Sequence, residues 1–124
     1  LLRRRVDVLI LELGGNDGLR GISVAAMREN LQGIMDRVRA KNSEVRIVLA
    51  GMEAPPNMGE AYTSAFRKVF LELAEKNQVP LIPFLLEGVG GIPELNLADR
   101  IHPNVEGHRI VAENVWEVLK GVLE

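Results

Sequence analysis

Asp99 stands three residues before His102 in the run Asp99-Arg100-Ile101-His102-Pro103-Asn104. A carboxylate at that spacing can reach back to the imidazole if the chain turns between them. It would accept the Nδ1–H, fix the tautomer and leave Nε2 free to take a proton from a nucleophile. That is the base-and-orienter half of a hydrolytic triad. Pro103 disfavours helical dihedrals at His102 and so holds it in an extended turn. The same residues also fit a plain turn histidine ahead of a helix, and a bare D-x-x-H arises readily by chance. A second stretch bears on the choice: Gly14-Gly15-Asn16-Asp17 ends an apolar run far upstream. Two glycines permit a tight turn with close backbone approach. The Asn16 amide can offer an N–H into a crevice and, with backbone N–H groups beside it, stabilise an oxyanion in acyl transfer. An Asn in a Gly-rich turn is also explained by hydrogen bonds to its own backbone.

Composition narrows the chemistry. The 124 residues fit one domain with a real core. Hydrophobic residues make up 47% and charged ones 26%, ordinary for a globular protein. A net charge of −2 gives no reason to expect nucleic acid or an anionic membrane as partner. The absence of cysteine excludes disulfides, a thiol nucleophile and thiolate metal sites. No apolar run reaches the roughly 18 residues of a membrane span, and no signal peptide is visible.

The elements that must position these residues follow from periodicity. Val6–Leu13 is apolar and β-branched and reads as a buried strand, followed by a polar loop from Asn16 to Gly21. Ser23 is placed as an N-cap. Val24, Met27, Leu31, Ile34, Met35 and Val38 then mark one face of a helix running to about Ala40. Val45–Gly51 is a second strand of the same kind. Met52–Gly59 is a loop, where Pro55-Pro56 excludes regular structure. A helix runs from about Glu60 to Lys76, and Val79–Ile82 is a short third strand. Phe84–Ala98 is a long apolar, Gly-rich loop of the sort often used as a lid or binding wall. The last helix starts near Asn104 and carries Trp116 among apolar residues at helical spacing, which places it in the core.

Strands that are nearly all apolar and alternate with helices predict an α/β fold with a parallel sheet covered on both faces. Ligands of such sheets bind beyond the carboxyl ends of the strands. Gly14–Asp17 falls at such an end, and Asp99–His102 follows the loop after the third strand. Three strands make a thin sheet whose first member would offer an apolar edge. The chain opens at Leu1 without Met. Both features lead to the expectation that further strands stand beside Val6–Leu13, from upstream sequence or from another chain.

Taken together, residues 8–21 (VLILELGGNDGLRG), 52–59 (MEAPPNMG) and 99–108 (DRIHPNVEGH) resemble the SGNH (GDSL-type) hydrolases, in the branch of thioesterases, lysophospholipases and arylesterases. The resemblance covers essentially the whole chain. It implies a three-layer α/β/α, flavodoxin-like sandwich, with residues 1–124 as the C-terminal portion of one such domain. It implies Asn16 as the oxyanion-hole side chain, His102 as general base and Asp99 as its partner. Gly15, Met52 and Met58 would contact an acyl ester or thioester; ordinary surface packing accounts for the two methionines equally well. Neither a metal nor an organic cofactor is implied. Relatives of this branch are commonly periplasmic or secreted.

The departure is the nucleophile. The family's Ser lies in a G-D-S motif after the first strand, and a second block supplies a Gly N–H to the oxyanion hole. Neither block occurs here. Ser23 reads as a cap, Ser43 as a turn residue and Ser64 as helical, so the triad's Ser is expected outside this chain and the chain alone is expected to be inactive. The alternative is a non-catalytic domain that dimerises through the edge of Val6–Leu13. Of the remaining polar residues, His108 reads as a surface position on the last helix and Arg3–Arg5 as a solvated run. Glu12 is left either paired with an Arg or at an exposed edge.

Overall fold

A computed structural model describes residues 3–124, the side chains of Asn16, Asp17 and Leu19 excepted. The chain divides into two compact units at Pro83.

The first unit holds β1 (Val8–Leu11), α1 (Gly15–Arg20), α2 (Val24–Lys41), β2 (Arg46–Ala50), α3 (Glu60–Asn77) and β3 (Leu81–Ile82). The strands are parallel in the order β1-β2-β3, with Val8 opposite Arg46 and Leu49 opposite Leu81. Parallel neighbours need crossovers, and α2 and α3 supply them. Both crossovers step the same way across the sheet, so right-handed connections bring both helices to one face. Leu11, Ile47 and Leu49 from the sheet share a buried core with Met27, Leu31, Met35 and Val38 of α2 and Phe66, Val69, Phe70 and Leu73 of α3. These helical positions recur every three or four residues, as one face of a helix must. Phe66 and Phe70 meet edge to face at 5.5 Å between ring centroids. Ser23 caps α2 by accepting the Ala26 N–H.

Two expectations are corrected here. The first strand is four residues long, not eight, and Glu12 and Leu13 beyond it are exposed. The stretch expected as a polar loop is instead the helix α1. Its limits are set by glycines. Gly14 leaves the strand at φ 108° and Gly21 leaves the helix at φ 65°, both in the region that L side chains avoid. Between them Gly18 lets α1 settle on α3, because a Cβ there would stand 3.1 Å from the Phe66 ring. Pro56–Met58 forms a single 3₁₀ turn, with Pro at its start where no N–H is required. Among the described residues β1 is paired on one side only, and Ile10 on it is 36% exposed.

The second unit is a string of tight turns followed by a 3₁₀ turn (Pro93–Leu95) and α4 (Val105–Leu123). Backbone bonds from Glu87 to Phe84, Val89 to Leu86 and Ile92 to Val89 fold the expected long loop into consecutive turns. Leu85 and Val89 are buried within it. Asn104 caps α4: its Oδ1 accepts the Gly107 N–H at 2.9 Å and its Nδ2 donates to the Glu94 carbonyl at 2.8 Å. Trp116 was expected in the core but is 52% exposed. The partly buried positions of α4 are Ile110, Val111, Asn114, Val115, Val118, Leu119 and Val122. Trp116 lies one step off that stripe, rotated about 100° from Val115.

Candidate active site

Asp99 and His102 sit on the turn that closes the second unit before α4. The chain reverses between them because Arg100 adopts φ 61°, the left-handed conformation. Asp99 organises the turn as an Asx motif, its Oδ1 accepting the N–H groups of Ile101 at 2.9 Å and His102 at 3.0 Å. Its other oxygen, Oδ2, lies 2.6 Å from His102 Nδ1. These bonds to the ionised form, that from the imidazole first and the two backbone N–H groups after it, lower the carboxyl pKa to about 2. A carboxylate can only accept, so Nδ1 must carry the proton and Nε2 of the neutral ring is the basic atom. The expected orienter and base are thus brought together.

Arg100 has an exposed side chain in a backbone conformation that costs a non-glycine residue about 1–2 kcal/mol. Arg100→Gly is expected to leave stability unchanged or raise it by up to about 1 kcal/mol, the relief being partly offset by glycine's greater unfolded-state freedom. Arg100→Val, branched at Cβ, is expected to destabilise by about 1–2 kcal/mol. Urea unfolding of the two variants checks the pair, and equal shifts in one direction would remove the backbone explanation.

In the first unit Gly15 begins α1 just beyond the carboxyl end of β1. Met52, in the loop after β2, reaches it: a Cβ on Gly15 would lie 3.2 Å from Met52 Cε. Met58 lies against Gly21 in the same way, 2.6 Å from a Cβ placed there. Both methionines are half-buried. The structure therefore places Gly15 and Met52 side by side and Met58 at the far end of α1. The side chain of Asn16 lies outside the described residues; its backbone is in the first turn of α1. Ser23 is a cap, Ser43 is in the turn before β2, and Ser64 is within α3. Among the described residues no group of three or more His, Asp or Glu could hold a metal ion, and no helix is long and apolar enough to cross a membrane.

Asn96, near the end of the apolar stretch Phe84–Ala98, is the one buried polar residue among those described, and it is not among the candidates named from the sequence. Its flanks Leu95 and Leu97 were the available signal, since a lone amide in an apolar segment must find partners if it is buried.

Residues 1–83 thus carry a parallel α/β sheet, and the second unit carries a histidine whose Nδ1 meets a carboxylate. The chain belongs to the GDSL-like lipase/acylhydrolase family, which matches residues 1–110. It is 40% identical over 123 residues to the esterase TesA of Pseudomonas aeruginosa, covering 99% of this chain and 60% of that protein. It is 37% identical over 113 residues to an arylesterase of Vibrio mimicus, covering 91% of this chain and 56% of that one. A crystal structure of TesA superposes with a TM-score of 0.85 at 40% identity, over 93% of this chain and 63% of that chain. The chain thus spans between half and 60% of the length of the curated relatives it matches.

Proposed function

We propose that these residues serve the hydrolysis of carboxylic esters through a Ser-His-Asp triad whose Ser lies outside residues 1–124. The observation that carries this reading is the 2.6 Å contact of Asp99 Oδ2 with His102 Nδ1, which leaves Nε2 as a base. In the first step the Ser oxygen attacks the acyl carbonyl and its proton passes to His102 Nε2. Asp99 stabilises the imidazolium without taking the proton. The Asn16 amide and neighbouring backbone N–H groups hold the tetrahedral oxyanion. The imidazolium then protonates the leaving alcohol, and the acyl-enzyme is cleared by a water that His102 deprotonates. Gly15, Met52 and Met58 border the acyl group.

The esterase and arylesterase names of the relatives favour short-chain aryl or alkyl esters; acyl thioesters and lysophospholipids fit the same chemistry. The external Ser is supported by the places of Ser23, Ser43 and Ser64, none of which lies in a Gly-rich elbow at a strand end. Intact mass after treatment with a fluorophosphonate tests the reading. The chain of 124 residues is expected to take no adduct. The longer protein with a G-D-S segment is expected to take one. Turnover by residues 1–124 alone, abolished by His102→Ala, would overturn the placement of the Ser.

A further inference from the structure

Asp99 holds its turn locally, through bonds to the Ile101 and His102 N–H groups and to the imidazole. The turn runs from Leu97 to His102 and is pinched at its base. The Leu97 N–H donates to the His102 carbonyl at 2.8 Å and the Asn104 N–H donates to the Leu95 carbonyl at 2.9 Å. These two bonds set Asn96 opposite Pro103 as an isolated antiparallel bridge. One arm of the pinch is held from the far side by α4, through the Asn104 cap. The other arm is held by the Asn96 side chain. Its Nδ2 donates one proton to the Val89 carbonyl at 2.9 Å and the other to the Ile92 carbonyl at 2.7 Å. Both donor protons of the amide are thus used, on two carbonyls of the preceding turns.

We propose that Asn96 is a positioning residue for His102: its amide clamps the arm that pairs with Pro103 and so keeps the imidazole within reach of Asp99. The proposal rests on the hydrolase reading of Asp99 and His102 for its functional meaning, and on hydrogen bonds within residues 85–108 for its geometry. Replacing the amide with a methyl group removes both side-chain bonds, leaves the Val89 and Ile92 carbonyls with one backbone donor each, from Ile92 and Leu95, and frees the arm at the residue facing Pro103. The turn then opens at its base, and the short contact between Asp99 and His102 is lost.

The side-chain ¹⁵N and ¹H NMR spectrum of the histidines reads this directly. An imidazole oriented by a carboxylate carries its proton on Nδ1, and without that partner the preference for Nδ1–H is lost. His108, elsewhere on α4, is the internal reference. Asn114 is the structural control, because its Nδ2 also donates to two carbonyls of the same unit, those of Leu85 and Glu87, without touching the pinch. Asn96→Ala is expected to lose the Nδ1–H signature of His102, while Asn114→Ala keeps it despite a comparable loss of stability. Asn96→Ser, with one hydroxyl donor, is expected to fall between and serves if the Ala variant does not fold. Retention of the signature in Asn96→Ala, or its equal loss in Asn114→Ala, overturns the proposal. So does failure of both Asn96 variants to fold while Asn114→Ala folds, since the role is then structural. This outcome is separate from the hydrolase reading, which falls if His102→Ala retains esterase turnover and stands or falls without reference to Asn96.

Discussion

His102→Ala is expected, on the proposed hydrolase reading, to lower kcat for an aryl ester by roughly 10⁴-fold or more in protein that includes the Ser, with KM little changed and the melting temperature within a few degrees of the parent. The effect is large because the proton of the attacking Ser has one place to go. His108 is exposed on α4, and among the described residues no carboxylate pairs with its ring. The effect on stability is small because the His102 side chain is 71% exposed. Asp99→Asn separates orientation from charge. The Asn Oδ1 can still accept the two backbone N–H groups that shape the turn. Its amide, however, donates toward Nδ1 and drives the ring proton onto Nε2, where no base remains; a loss of roughly 10⁴-fold is expected. The pH profile adds a check on sign. The carboxyl of Asp99 titrates at about 2, below its ordinary value. Its contribution to the turn is therefore complete above about pH 4 and disappears as pH falls toward 2. Above about pH 4 the acid limb of kcat/KM is expected to show no ionisation of Asp99. A limb of slope two above pH 4 would mean that Asp99 is not held ionised.

The second large effect falls on stability. Gly107 lies in the first turn of α4, with its N–H on the Asn104 cap. A Cβ there would stand 2.2 Å from the Leu95 carbonyl oxygen, 3.0 Å from Pro103 Cβ and 3.1 Å from Val89 Cγ1. The nearest of these is backbone and cannot swing aside. Gly107→Ala is expected to destabilise by roughly 3 kcal/mol, since overpacking against fixed neighbours outweighs the roughly 1 kcal/mol that Ala gains over Gly in a helix. Gly121→Ala in the same helix meets nothing within 4 Å and is expected to stabilise by up to about 1 kcal/mol. Urea unfolding of both variants decides the matter by sign. Stabilisation by Gly107→Ala would mean that α4 and the 3₁₀ turn before it are not packed as described.

Much of this architecture is written in local pattern. Apolar residues at spacings of three and four marked α2 and α3 to within a residue or two, because their inner faces share one core. Ser23 and Asn104 were legible as helix starts, because each offers an acceptor to an N–H group left without a partner in the first turn. The helix α1 was not. The four glycines in and around it read as a loop under propensity rules, yet Gly14 and Gly21 flank its ends and Gly18 makes its contact with Phe66. Tertiary packing outweighed propensity there, and the spacing of the glycines was the unused clue. Trp116 has apolar neighbours at helical spacing, yet it stands just past the edge of the buried stripe, a distinction that composition alone does not make. In the site, the Asp99–His102 pair was readable from spacing and a following proline. The left-handed Arg100 that closes the turn and the buried Asn96 beneath it were not, since neither residue type announces that role.

The segment around His102 has a further consequence for how the chain folds. The bonds that shape it join residues no more than ten apart, the widest being that of Asn104 with Glu94. The sheet, by contrast, pairs Val8 with Arg46 across the whole of α2. Closing a loop of about ten residues takes on the order of 10–100 ns and little chain entropy, whereas register between distant strands must await a longer search. His102 thus belongs to the low-contact-order part of the molecule. Its conformation is written in some twenty consecutive residues.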